Sequence, residues 1–213
     1  MNAHKTILDL CGGTGSWSKY YAENGYNVVV ATYPDWDVTD PYDQDELIAI
    51  KPYGILAAPP CTMFSIARQN ARTPRDLRKG MECVQGCLRI IWESSFDMSL
   101  KFWAMENPMG YLKLFLGKAA LVFQPFEYGD PYTKKTCIWG RFNEPIRKPV
   151  TPLDLGKSAV TGKNKDYHTY VEQFAHLKQI PDGYQKKTGY TKNKILRSMT
   201  PLGFAKQFYL ANK

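Results

Sequence analysis

Hydrophobic and polar positions alternate in blocks along the first half of the chain, and the blocks read in turn as strands and helices. Residues 5–10 (KTILDL) are a short apolar run that stops at a glycine-rich turn. Residues 16–24 have helical character and close at Gly25, a residue suited to a helix end. Residues 27–32 (NVVVAT) are β-branched, as a buried strand requires. Pro41 opens a helix through Ile50 with Asp40 as its N-cap, and 53–58 (YGILAA) is a second buried run ending at Pro59-Pro60-Cys61. Met81, Val84, Leu88, Ile91 and Trp92 recur at helical spacing after a polar, Arg-rich stretch, and 102–105 is a further strand ending at Glu106-Asn107-Pro108.

Strands alternating with helices predict an α/β fold, a Rossmann-like and mostly parallel sheet with helices on both faces. Residues 121–128 and 136–142 extend it as a C-terminal hairpin around the turn 129–135. Residues 143–196 are rich in Lys, Gly, Pro, Thr and Tyr with weak periodicity, and read as a loop-dominated insert. A closing helix over 201–211 takes Thr200 as its N-cap. The expected division is a catalytic domain over 1–142, a small basic insert over 143–196, and a tail over 197–213 that returns to the first domain.

Composition narrows the class. A chain of 213 residues with 44% hydrophobic content fits one compact domain. No apolar run approaches the roughly 18 residues that cross a bilayer, and the first residues lack a basic-then-apolar leader, so a soluble, cytoplasmic protein is expected. Five cysteines without such a leader imply reduced thiols, and Cys83 with Cys87 is a lone CxxxC without a second ligand pair, so no metal is expected. Charge is segregated: residues 1–132 hold 12 Lys/Arg against 15 Asp/Glu, and 133–213 hold 16 against 5. A basic tail suits contact with a polyanion.

In a parallel sheet the site lies at the carboxyl ends of the strands, where three motifs fall. Asp9-Leu10-Cys11-Gly12-Gly13-Thr14-Gly15 puts glycines where backbone approaches a ligand; such turns serve dinucleotides, phosphates and S-adenosylmethionine alike. Ser18 stands where the GxGxxG fingerprint needs its third small residue, which lowers the nicotinamide reading. Pro59-Pro60 stiffens a turn and aims the Cys61 thiol out of the core, as a nucleophile requires; a nearby helix N-terminus or one of Arg68, Arg72, Arg75 and Arg78 would favour its thiolate. Glu106 at the later strand end suits proton handling on a ring nitrogen next to that nucleophile.

The order and spacing of LDLCGGTG, APPCTMFS and MENPMG resemble the DNA cytosine-5 methyltransferase family. The segment Tyr128 to Thr136 (YGDPYTKKT) is similar to that family's Tyr-Gly-x-Pro-Gln-x-Arg-x-Arg, and Arg197 to Pro201 (RSMTP) to its Arg-x-Leu-Thr-Pro. The resemblance covers most of residues 5–142 plus the tail. It implies a class I methyltransferase fold and S-adenosylmethionine as cofactor, with Asp9, Leu10, Gly13, Thr14, Gly15, Trp17, Asp37 and Pro59 around it. It further implies Cys61 as the nucleophile on C6 of cytosine, Glu106 on N3 and the exocyclic amine, and Lys134 beside the base. Ser65, Arg68, Arg72, Asn107, Pro108 and Thr136 are expected to meet the substrate DNA, single-stranded or duplex.

The chain departs from the pattern where Gln becomes Tyr132, the paired arginines become Lys134 and Thr136, and Phe becomes Cys11. Lysine keeps the charge and loses the bidentate fork. The insert is short for a target-recognition domain, so poor sequence specificity is expected. Residues 62–77 stand where the family has a loop that closes over substrate. Lysines and tyrosines of the tail, among them Lys157, Lys163, Lys165, Lys186, Lys187, Lys192, Lys194, Tyr167, Tyr170, Tyr184 and Tyr190, suggest a strand-binding surface. The expected protein is monomeric. The same chemistry on RNA or a free pyrimidine nucleotide, and an idle nucleic-acid-binding module on this fold, are the alternatives.

Overall fold

The computed structural model describes residues 2–66, 71, 73–151, 180 and 182–213. Arg68, Arg72, Lys157, Lys163, Lys165, Tyr167 and Tyr170 lie outside the described residues. Six strands, β1 (Thr6–Leu10), β2 (Asn27–Ala31), β3 (Gly54–Ala57), β4 (Phe102–Pro108), β5 (Leu121–Phe123) and β6 (Thr136–Arg141), form one sheet in the order β2-β1-β3-β4-β6-β5. The first four are parallel, while β6 runs antiparallel to both β4 and β5. This mixed, mostly parallel α/β sheet is compatible with a Rossmann-like architecture. The expected antiparallel pair forms, but β6 rather than β5 abuts β4, and 125–128 is a 3-10 turn instead of strand.

Alternation along the strands sends side chains to two cores. Leu8, Ile55 and Met105 face α2 (Pro41–Ala49) and α3 (Leu77–Ser94), whose apolar stripe Val84, Cys87, Ile90 and Ile91 is buried. Ile7, Leu56 and Ala104 face the opposite way, against Tyr21 of α1 (Lys19–Glu23) and Phe204 and Phe208 of α7 (Leu202–Ala211). Asp40 caps α2 by accepting from the Tyr42 N–H at 2.8 Å, as its sequence Asp-Pro predicts. At Gly86 a Cβ would stand 1.8 Å from the Val38 carbonyl oxygen, so a glycine there lets α3 press against the segment following β2.

Three expectations are corrected. The strand β4 runs through Glu106-Asn107-Pro108 instead of ending before them, because β6 pairs with it as far as Pro108↔Thr136. Helix α7 starts at Leu202 with no side-chain cap; the Thr200 N–H donates instead to the Ser16 hydroxyl at 3.0 Å. The insert ends in two short helices, α5 (Tyr184–Thr188) and α6 (Lys192–Ser198), the second crossing the boundary expected at 196/197. Among the described residues no helix is long and apolar enough to cross a membrane.

Candidate active site

The carboxyl ends of β1, β3 and β4 lie side by side because these strands are parallel neighbours. The chain leaves β1 at Cys11, with φ at 54°, and turns through Gly13 and Gly15, both at positive φ. The Gly13 N–H donates to the Thr32 hydroxyl at 3.2 Å. Thr14 Oγ1 and Asp9 Oδ1 are buried without hydrogen-bond partners. A cavity of about 630 Å³ opens beside Thr14 and Gly15, between α1, β2 and Met199. Thr14, whose Oγ1 is orphaned, lines this space, and a glycine turn with such an oxygen fits a polar ligand of nucleoside size.

Asp9 is fully buried and accepts from the Ser18 hydroxyl at 2.6 Å; burial pushes its carboxyl up to about 6. The folded chain therefore holds this proton at pH values where the unfolded one, titrating near 4, has released it. That contribution to stability is complete below about pH 4 and is lost as the pH rises through about 6. Asp9→Asn, uncharged throughout, is expected to match the native protein at pH 4 and to exceed its stability by roughly 3 kcal/mol at pH 7. Thermal unfolding across that range checks the divergence.

Cys61 stands four residues past the end of β3, at the head of a turn in which the Phe64 and Ser65 N–H groups both donate to its carbonyl at 2.9 Å. The turn is locked to the end of β4: Asn107 Nδ2 donates to the Pro59 carbonyl at 2.9 Å, and Ser65 bridges Gly110. Glu106, 5% exposed, lies on β4 beside β3. Its Oε1 has no hydrogen bond, and Lys134 Nζ stands 3.7 Å away, an ion pair beyond hydrogen-bond reach. Lys134 is held by its own N–H on Gln124 Oε1 at 3.0 Å and by Nζ on the Met199 carbonyl at 3.2 Å.

These groups act on one another. Burial raises the Glu106 carboxyl above its usual range, against the opposing pull of Lys134. Burial also raises the Cys61 thiol, the Glu106 charge raises it further, and Lys134 and Arg197 pull it back. The cations that favour the thiolate thus include Arg197, far along the chain; its only sequence signal was the RSMTP segment. Arg75, which the sequence offered for the thiolate, donates instead to the Met63 and Ser65 carbonyls at 2.8 Å and ties the turn down.

Several expected site residues have other work. Trp17 is 1% exposed, its ring 5.5 Å from Phe208, so it packs in the aromatic core, with its Nε1 buried and unpartnered. Leu10 is likewise core. Thr136 is fully buried with its hydroxyl on the Lys134 carbonyl at 2.7 Å, and Asn107 is fully buried with its Oδ1 unpartnered. Both hold the loops that carry the reactive groups. Asp37 lies just past β2, its Oδ1 accepting from the Thr39 N–H and hydroxyl.

The tail also reaches the glycine turn. A Cβ on Gly13 would stand 3.2 Å from the Tyr184 hydroxyl, and Lys187 pairs with Asp35 beyond β2. Tyr132, where the resembled pattern has Gln, is buried with Leu196 and Met199 and so seats α6 beside Lys134. Lys194 stacks over the Tyr190 ring. The chain matches no protein-family model and no curated protein.

Proposed function

We propose that this protein transfers a methyl group from S-adenosylmethionine to C5 of cytosine in DNA through a covalent adduct at Cys61. The observation that carries the reading is the meeting of the Cys61 thiol, the Glu106 carboxyl and the Lys134 ammonium at one carboxyl edge, from three separate segments. A nucleophile, a buried acid and a fixed cation are the set that attack on a pyrimidine ring calls for.

Glu106, made less acidic by burial, hydrogen-bonds the ring at N3 and the exocyclic amine and draws electrons from C6. The Cys61 sulfur then bonds to C6, giving up its proton, and C5 gains the electron density it needs for methylation. Lys134 limits the charge that builds on Glu106 and favours the thiolate. A water molecule then takes the C5 proton, the electrons of that C–H bond re-form the C5–C6 double bond and expel the Cys61 thiolate, and the thiolate regains a proton from solvent. The backbone from Gly13 to Gly15, Thr14 Oγ1 and the buried Asp9 are the groups that would hold the cofactor, which when bound supplies an electrophilic methyl group.

The test is incubation with methyl-labelled S-adenosylmethionine and, separately, duplex DNA, single-stranded DNA, tRNA and dCMP. Label is expected in DNA cytosine. Label confined to tRNA or dCMP would move the chemistry to another substrate, and label in none would leave a binding module.

A further inference from the structure

Resting on the reading of this chain as a DNA-modifying enzyme, the geometry points to a stacking surface for unpaired bases on the rim of the site, formed by Ile66, Tyr111, Leu114 and Phe115. These large apolar side chains are 46, 40, 69 and 48% exposed, far more than packing requires. They cluster at one place. Tyr111, Leu114 and Phe115 belong to the segment after β4 that includes α4 (Lys113–Leu116), and Ile66 to the turn that starts at Cys61.

The rim is fastened to the nucleophile's own turn. The Tyr111 N–H donates to the Phe64 carbonyl at 2.9 Å, Gly110 bridges Ser65, and the Phe115 ring lies 6.3 Å from that of buried Phe64. A base held at Cys61 therefore has its strand neighbours near this rim.

Charge selects the partner. The described residues of the two segments that build the rim, 61–66, 71, 73–80 and 109–120, carry five Lys/Arg and a single acidic residue, Asp76. Arg75 lies over the Tyr111 ring, its guanidinium 4.7 Å from the centroid. Two rings, Tyr111 and Phe115, flanked by aliphatic side chains and set among cations match a nucleic-acid strand, whose bases stack on rings while its phosphates meet the charges. Paired bases are already stacked on one another, so the surface favours a strand that is single or locally opened.

The experiment measures binding of a fluorescent single-stranded deoxyoligonucleotide with one central cytosine, without cofactor, against the same strand with abasic positions flanking that cytosine. The native protein is expected to bind the abasic strand about tenfold more weakly. The Tyr111→Ala/Phe115→Ala protein should bind the intact strand about tenfold more weakly and lose little more on the abasic one. Leu114→Ser, altering a side chain mostly in solvent, should weaken binding in the same direction without touching the fold. Tyr111→Phe should bind like the native protein. Losses that simply add, or no loss in any alanine or serine variant, would overturn the assignment. A fall in sedimentation mass upon substitution would do the same, by giving the rim to a second copy of the chain. Because no methyl transfer is read, coupling with no transfer to any substrate would sink the methyltransferase reading alone, and transfer without coupling would sink only the rim.

Discussion

The Cys61→Ser protein is expected to transfer methyl groups to DNA at least about a thousandfold more slowly than the native protein, while its Tm moves by less than about 3 °C. Serine keeps the shape of the side chain, so the turn from Cys61 to Ser65 and its two hydrogen bonds survive. What changes is the acid: a hydroxyl is far harder to ionise than a thiol, in a site whose burial already raises Cys61. DNA containing 5-fluorocytosine should trap the native protein as an adduct whose mass maps to the Cys61 peptide, since fluorine cannot leave C5 as a proton does. The serine protein should give none. Full activity in the serine protein, or an adduct elsewhere, would remove Cys61 from the mechanism.

Why Cys61 and Lys134 were legible in the sequence and the part of Arg197 was not follows from how each is placed. Local signals sufficed for the framework: Asp40-Pro41 starts α2, the run Gly54–Ala57 is apolar throughout, and the prolines follow where the strand ends. Glu106 was found as a strand-end residue, yet it sits inside a strand, because its extension depends on β6, which the chain supplies only after a long excursion. The same holds for Trp17. A large aromatic after a glycine turn looks like a ligand platform until Phe204 and Phe208 of the last helix close over it. The part expected of Arg75 falls to Arg197 for a related reason. Sequence proximity favoured the first, but two carbonyls within its reach claim the guanidinium, while α6 brings the second to the site from the far end of the chain.

Glu106→Gln separates the two duties of that carboxyl, since it is expected to move two measurements in opposite directions. Transfer should fall by about a hundredfold or more, because the amide can still hydrogen-bond the ring but cannot hold a proton on it. The Cys61 thiol should at the same time become more acidic. In the native protein burial is the largest cause of its raised value and the Glu106 charge the next, whereas Lys134 and Arg197 act the other way. Removing the carboxylate leaves Lys134 without the partner 3.7 Å away and lets its charge act on the sulfur. Alkylation by iodoacetamide at about pH 7.5 (about one unit below the ordinary thiol value), followed at the Cys61 peptide to separate it from Cys11 and Cys83, should therefore speed up as transfer collapses. In Lys134→Met the alkylation should slow instead, and Lys134→Arg should restore it. A Glu106→Gln protein in which alkylation and transfer fall together would mean that the substitution had only closed the site, and that Glu106 does not set the charge the sulfur meets.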